Sequence, residues 1–327
     1  MTSSLIAAAA LLMLSSIALD ANGARAAQSP PAAAASGLRD EDLRVATIAY
    51  RLGLSGAPYC PEPYPLTGLL LHHLPEYDEG GRGKMIHLLE LDRGPGVLAV
   101  VEGSPAARAG LVAGDVIVEV NGNAFPSSQA MAALPDAAAR RKAIERSEAL
   151  LEAELRKGIA RLSLLRNGGE IELRLDSSPG CPARIRLARS SQTSAFATGR
   201  YVIVTTALLQ FIRNDDELAV VVGHELAHNI LHHPARLDAQ QVPRGFLRGL
   251  GKNASRVRVT EEEADRLGLK LTWSAGYDIA AAIPFWRRYY ARFDTIPQLF
   301  RTHPSLEARE QLIEHVIADL PSDLPMR

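Results

Sequence analysis

Two histidines stand four residues apart in the stretch Asn214–His233, at His224 and His228, and Glu225 directly follows the first. Residues four apart in a helix lie on one face, so both imidazoles can bind one metal ion. Glu225 would then lie beside the metal and could act as a general base toward water. The alternative is a helix with ordinary His/Glu pairs, but the apolar flanks indicate a buried helix, where histidines need partners. The pattern therefore favours a hydrolytic zinc site.

A catalytic zinc ion takes three protein ligands and keeps one position open, so a third ligand is needed. The sequence predicts a second helix over 260–275, which begins with a capping box formed by Thr260 and Glu263. Within it, Glu261 and Asp265 lie four apart on one face, so one can bind the metal and the other can orient a histidine. Carboxylates at a helix start can equally be surface charge that stabilises the helix dipole. The residues alone leave both interpretations open.

A different pattern occupies the middle of the chain. Strand-like segments at 96–101 and 116–120 flank the glycine-containing turn Gly103–Leu111, and further strands are predicted at 159–166 and 170–175. Glycines supply the positive φ angles that such turns need, and a Ser-Pro-Ala-Ala segment starts a short helix. The run resembles a PDZ domain of the kind associated with bacterial proteases.

This resemblance implies a module that binds an extended peptide as an added strand, often with its terminal carboxylate held by backbone N–H groups. It places the carboxylate loop near Arg93–Gly96, before the first strand. A long helical stretch over 129–157, broken at Pro135, departs from a compact PDZ domain. The peptide groove could therefore be reshaped or covered, and a PDZ domain used only for packing is the alternative.

The metal-binding pattern, H-E-x-x-H followed by E-x-x-A-D, resembles the M48 zinc metallopeptidases. The resemblance runs from about 183 to 320, and the helix predicted over 38–54 looks like the first helix of that family. It implies one Zn²⁺ per chain, with Glu225 as general base and Asp265 as an outer carboxylate. The implied zinc ligands are His224, His228 and Glu261.

Other segments match this family in part. Ala195, Phe196 and Ala197 resemble its edge strand beside the cleft, with which a substrate pairs, although Ser194 stands where the family often has Asn. His233 matches a histidine common after the zinc helix.

Near the C-terminus, His303 lies in a Thr-His-Pro element of the same family, with Arg309 in the helix that follows. The resemblance implies that His303 gates the metal or that Arg309 faces the cleft. Packing at the helix start is the alternative for each. The segment 239–259 between the two metal helices is predicted to be a lid over the cleft, with a plain solvated loop as the alternative.

The fold class expected from these matches is α+β. It comprises a mostly helical zincin-type metallopeptidase domain with a small edge-exposed sheet, and a β-rich PDZ domain inserted into it. The insertion would bring its two ends together, where Cys60 and Cys181 could form a disulfide; free buried thiols are the alternative. The predicted boundaries are a signal peptide at 1–26, a flexible leader at 27–37, an N-terminal helix and Pro-rich loop of the peptidase domain at 38–83, the PDZ domain at 84–176 and the M48-like domain at 177–327.

Composition and the N-terminus bear on partners and compartment. With 36 basic against 37 acidic residues, the chain has no basic surplus for binding nucleic acid. The apolar run Leu5–Leu19, followed by an A-x-A site at Ala24–Ala26, predicts a cleaved signal peptide, with an uncleaved anchor or an amphipathic tail as alternatives. We therefore expect a periplasmic or secreted protein with no stable membrane span after cleavage.

The function expected from the sequence is a zinc-dependent endopeptidase that hydrolyses envelope proteins and uses its PDZ domain to bind substrate or partner peptides. The alternative is a PDZ-dependent binding or chaperone-like protein with a latent or structural zinc site. A hydrolase acting on a non-peptide bond is disfavoured by the edge strand and the PDZ domain.

Overall fold

The computed structural model describes residues 32–243, 251–293 and 304–321. The predicted signal peptide at 1–26 lies outside these ranges, as does His303. The helices are α1 (Ala32–Ser55), α2 (Glu79–Leu89), α3 (Pro105–Arg108), α4 (Ser128–Ala132), α5 (Ala137–Leu155), α6 (Thr206–Phe211), α7 (Asp215–Ile230), α8 (His233–Ala239), α9 (Gly251–Ser274), α10 (Ala282–Phe293) and α11 (Leu306–Asp319). The strands are β1 (Tyr64–Leu66), β2 (Leu69–His72), β3 (Gly96–Val100), β4 (Val116–Val120), β5 (Asn123–Ala124), β6 (Ala160–Arg166), β7 (Gly169–Leu175), β8 (Ser178–Gly180), β9 (Ile185–Ala188), β10 (Ala195–Ala197) and β11 (Val202–Thr205).

The expected α+β class is confirmed. Helices α1, α7 and α9 pack with β9 and β11 around one apolar core, to which α1 contributes its buried face at Val45, Ile48 and Leu52. A second core lies inside the PDZ-type sheet and is closed by Leu151 and Leu155 of α5. Within the described ranges, no helix combines the length and apolar character needed to cross a membrane.

The PDZ-type sheet has the strand order β2-β3-β4-β6-β7, with β5 paired to β4. Its first strand, Leu69–His72, precedes the boundary at residue 84, so the sheet begins earlier than we predicted. The strand order also shows that the placement of the carboxylate loop at Arg93–Gly96 is wrong. It leads into β3, which pairs with β2 on one side and β4 on the other, and a peptide can add only at a free edge. The edge nearest α5 is β2.

Strand β2 and α5 line a cleft of about 100 Å³ with residues of the domain built around α1, α7 and α9. Arg184 pairs with Glu152 through both Nε and Nη2, and Arg186, in β9, pairs with Glu148. These contacts attach the long helix α5 to the sheet that contains β9. The expected peptide groove is thus reshaped, because the domain built around α1, α7 and α9 forms one of its walls.

Cys60 and Cys181 form a disulfide with Cα atoms 5.6 Å apart and 121 residues of sequence separation. The two residues lie at the entrance to and exit from the segment that holds the PDZ-type sheet. Strands β1 and β8 pair antiparallel beside this bond, with Tyr64 opposite Gly180. The chain therefore leaves and re-enters the core formed by α1, α7 and α9 at nearly one point.

The start of α1 and the end of α7 differ from prediction. Helix α1 begins at Ala32, inside the expected flexible leader. The helix predicted through His233 ends at Ile230, because His232 adopts a left-handed conformation with φ of 53° and Pro234 opens α8.

Helix α9 begins at Gly251, so the lid predicted over 239–259 is helical in its second half. The capping box at Thr260 is wrong, since its hydroxyl donates to the Val257 carbonyl inside the helix. The physical reason is tertiary: Val257 is fully buried against Leu237 and Val242, which extends the helix by two turns. Residues 244–250 of the predicted lid lie outside the described ranges.

Candidate metal centre

Helix α7 carries the two histidines and is capped at its N-terminus. The Asn214 side chain accepts a hydrogen bond of 2.9 Å from the Glu217 backbone and caps the helix. His224 and His228 are buried, and their Nε2 atoms lie 3.2 Å apart. The helical spacing thus brings two imidazole nitrogens to a single point, as the sequence predicts.

Helix α9 crosses α7 at unusually short range because glycines meet at the crossing. A Cβ at Gly223 would lie 2.8 Å from the Gly268 carbonyl oxygen, and one at Gly268 would lie 2.7 Å from the His224 backbone nitrogen. Only residues without a Cβ allow this approach. The crossing lets carboxylates of α9 reach His224, and one glycine in each helix does not indicate it in the sequence.

Glu261 turns toward the histidines, whereas Glu262 is exposed. The Glu261 carboxylate oxygens lie 3.6 Å from the His224 Nε2 and 3.6 Å from the His228 Nε2. Among the described residues, these three side chains are the group of potential ligands whose donor atoms all lie within 4.8 Å of one another. The choice of Glu261 over its neighbour follows from the face of α9 that packs on α7.

The three donors fit a tetrahedral metal site. Two ligands bound at about 2.0–2.1 Å with tetrahedral angles are separated by about 3.4 Å. The two histidine nitrogens lie 3.2 Å apart, close to that value, and Glu261 presents Oε2 to His224 and Oε1 to His228, each at 3.6 Å. Two imidazoles and one carboxylate can therefore hold a metal ion without a change of backbone.

Asp265 supports the first histidine from behind, since its Oδ1 lies 2.7 Å from the His224 Nδ1. Arg309 donates to the other oxygen of Asp265 at 2.8 Å and stacks over Trp286 at 4.0 Å. Arg309 is only 2% exposed. Its Nη2 also lies 3.7 Å from the Glu261 Oε2, so this buried cation contacts two carboxylates beneath the site. That Arg309 faces the cleft stays a prediction.

The carboxylates of Asp265 and Glu261 favour positive charge at His224. Burial alone would lower the pKa of His224, but Asp265 and Glu261 outweigh it and raise the pKa to about 10. Burial likewise favours the neutral form of Asp265, yet Arg309 and His224 hold its pKa below the usual range. The centre is thus built to stabilise a cation.

A second set of contacts lies behind His228. The His233 Nδ1 is 2.8 Å from the His228 Nδ1, and its Nε2 is 2.9 Å from a carboxylate oxygen of Glu263. Arg236 also contacts Glu263. The sequence predicted His233 by its position alone and assigned Glu263 to a capping box, so neither contact was foreseen.

The strand beside the centre has a free edge. In the sheet β10-β11-β9, β10 is an outer strand that lies against α7, and Phe196 opposite Ile203 is 48% exposed. Thr198 and Thr205 donate backbone bonds across the ends of this pair. Bonded and non-bonded pairs alternate in antiparallel ladders, so Phe196 bonds to β11 while the backbone groups of Ala195 and Ala197 point to the free edge.

Comparisons with known proteins agree with this geometry. The profile of peptidase family M48 matches residues 176–255 and 244–317, and a PDZ domain profile matches 96–134. Among solved structures, the HtrA3 PDZ domain bound to a phage-derived ligand covers 36% of this chain and 87% of that chain at 20% identity. Its TM-score of 0.25 is too low to support a conclusion about the fold.

Curated relatives include the mitochondrial metalloendopeptidase OMA1 of Bos taurus, 29% identical over 36% of this chain and 28% of that protein. The beta-barrel assembly-enhancing protease of Escherichia coli K12 is 28% identical over 39% of this chain and 33% of its own length. The match thus spans about a third of each relative. Residues 176–317 of this chain are thus similar to peptidase family M48, and residues 96–134 are similar to a PDZ domain.

Proposed function

We propose that this protein is a zinc-dependent endopeptidase. The observation that carries the proposal is the convergence of His224, His228 and Glu261 on one point between α7 and α9. Two histidines and one glutamate are a ligand set used by catalytic zinc, which keeps a fourth position for water or substrate. One Zn²⁺ per chain would fill this site. It would supply Lewis-acid polarisation of the substrate carbonyl and lower the pKa of water to about 7.

Glu225 is the general base in this proposal. It directly follows the first proposed zinc ligand on α7, is half-buried, and its negative charge raises the pKa of the adjacent His224. There it would accept a proton from the attacking water and return it to the leaving amine. Asp265 would keep the His224 ring in position through the 2.7 Å contact to Nδ1.

The substrate is proposed to be an extended peptide paired with β10. The outward N–H and C=O groups of Ala195 and Ala197 would bond to its backbone, which recognises peptides with little dependence on side chains. Such pairing would hold the scissile bond in a fixed register beside the metal. A hydrolase for small molecules has no need of this edge.

The PDZ module is proposed to bind a peptide of a substrate or partner at the β2 edge. The cleft there is lined by Leu69–Leu71 and by α5, the strand and helix that flank a PDZ ligand. Arg184 and Arg186 of the peptidase domain line the same cleft. A bound peptide would therefore contact both domains.

We also propose that the protein works in the bacterial periplasm or outside the cell, on envelope proteins. The Cys60–Cys181 disulfide supports this location, because such bonds persist in oxidising compartments and are rare in the cytosol. The apolar N-terminal run supports it independently as an export signal. The relatives named for beta-barrel assembly are consistent with an envelope role.

The proposal is tested by zinc content and casein cleavage of the purified full chain. Glu225→Gln is expected to retain zinc and lose cleavage and self-cleavage. Glu261→Gln is expected to lose both, whereas the matched control Glu262→Gln, one residue along on the exposed face, keeps both. Zinc bound by the wild type without cleavage would contradict the proposal and favour a PDZ-dependent binding or chaperone-like protein. A wild type without zinc would refute the metal assignment itself.

A further inference from the structure

We propose that His233 and Glu263 are positioning residues for His228, and that they fix its ring for zinc through a relay of two hydrogen bonds. The inference rests on the proposed zinc site and deepens it. Asp265 reaches the outer nitrogen of His224 directly, whereas the outer nitrogen of His228 is contacted by an imidazole. A second imidazole, His233, stands in that place.

The contacts form a continuous chain away from the metal. His228 turns its Nε2 to Glu261, at 3.6 Å, and its Nδ1 to the Nδ1 of His233, at 2.8 Å. The Nε2 of His233 then lies 2.9 Å from Glu263, whose carboxylate is also held by Arg236. The two contacts that lead away from the His228 Nδ1, at 2.8 and 2.9 Å, are both within hydrogen-bonding range.

One arrangement of protons satisfies all of these contacts with neutral rings. Zinc needs the lone pair on the His228 Nε2, so the proton of that ring sits on Nδ1. It is donated to the His233 Nδ1, which must then be an unprotonated acceptor. The proton of His233 therefore lies on Nε2 and is donated to Glu263. The relay thus selects the tautomer of His228 that can bind zinc.

The backbone is shaped to place His233. The left-handed turn at His232 ends α7, and α8 starts at His233 with Pro234 in its first turn. This change of direction points the next side chain back under His228, five residues earlier. His233 is 1% exposed. A continued helix would have carried it to another face of α7, so the break serves the contact.

The relay is expected to act on zinc affinity. Loss of an outer partner of a metal-ligating histidine typically weakens binding by about 10–100-fold. We therefore expect His233→Phe, which keeps a ring but removes both nitrogens, to raise the zinc Kd by about that factor. His233→Asn keeps an acceptor near the Nδ1 position and should lose less. Glu263→Gln removes the negative charge at the end of the relay, so its increase in the zinc Kd should lie between those of the two His233 variants.

The experiment is competition for zinc between the full chain and a chromophoric chelator at pH 7.5. His315→Phe, at an exposed histidine of α11, is the matched control and should leave the Kd unchanged. Urea unfolding of the zinc-free proteins reports folding separately, and Glu263→Gln, at a half-buried residue, covers the case in which His233→Phe fails to fold. Two-bond ¹⁵N–¹H correlation in zinc-loaded wild type should place the His233 proton on Nε2 and leave its Nδ1 as an acceptor, a signature that a packing role would not require.

The outcomes separate the two proposals. A His233→Phe protein that folds and binds zinc within twofold of wild type would overturn the relay alone. So would a His233 proton found on Nδ1, where it could not accept from His228. A wild type that binds no zinc would overturn the proposed function and the relay with it.

Discussion

Replacing Gly268 by alanine probes the helix crossing on which the metal centre depends. The added Cβ would lie 2.7 Å from the His224 backbone nitrogen, which is 0.7 Å short of the 3.4 Å at which ordinary contact begins. Its other close neighbours, at 2.8 and 2.9 Å, are also backbone atoms of α7, so no side chain can move aside. Helices α7 and α9 must therefore separate by about 0.7 Å.

That separation has two costs. Overpacking of a tight interface destabilises proteins by about 1–3 kcal/mol. Asp265 lies one turn from Gly268, so its 2.7 Å contact with His224 would lengthen to about 3.4 Å, beyond a normal hydrogen bond. Loss of such an outer contact lowers metal affinity by about 10–100-fold, which corresponds to about 1.4–2.8 kcal/mol.

The assay is the zinc Kd by chelator competition, together with urea unfolding of the metal-free protein. Gly83→Ala is the matched control, because Gly83 also lies inside a helix, α2, and a Cβ there would have no neighbour within 4 Å. It should leave zinc binding unchanged and stabilise α2 slightly through better helix propensity. A Gly268→Ala protein with wild-type affinity and stability would refute the argument that the crossing needs two glycines.

Three further predictions follow from other parts of the structure. Reduction of the Cys60–Cys181 bond, or its replacement by two serines, should lower the free energy of unfolding by up to about 5 kcal/mol, from the entropy of a 121-residue loop; equal urea midpoints with and without reductant would contradict this. Burial lowers the pKa of His72 to about 3, so the unfolded chain takes up a proton below about pH 6.5 that the folded chain excludes. Stability should then fall by about 1.4 kcal/mol per pH unit from pH 6.5 to 5 in EDTA, and a His72→Asn protein with the same slope would argue against it. Ala197→Pro removes an outward N–H and should raise KM without loss of stability, whereas Phe196→Pro breaks the bond to β11 and should destabilise the sheet; the reverse order would show that the register of β10 is misassigned.

The parts of the site that could be predicted depend on local spacing. His224 and His228 share a face because of helical periodicity alone, and Asn214 caps the helix through a contact three residues away. The roles of Glu261 and Asp265 follow from the same helical periodicity, once α9 is known to pack on α7. These relations hold for a single element, so a sequence displays them directly.

The remaining parts arise from contacts between elements that are distant in sequence. Val257 belongs to α9 because it is buried against Leu237, which a periodicity argument confined to one segment does not contain. A lone helical glycine such as Gly268 weakens the helix on its own, and its role appears only opposite Gly223. In the sequence, Leu69–His72 is only a short apolar run, and its place in the sheet depends on its pairing with β3.

The disulfide also changes how the protein responds to being cut. Any single backbone cleavage between residues 61 and 180 leaves two pieces that remain joined through Cys60 and Cys181. A chain nicked in its PDZ domain, by itself or by another protease, would keep its full mass on a non-reducing gel and separate only after reduction. The domain can therefore be opened by proteolysis without being released from the peptidase that carries it.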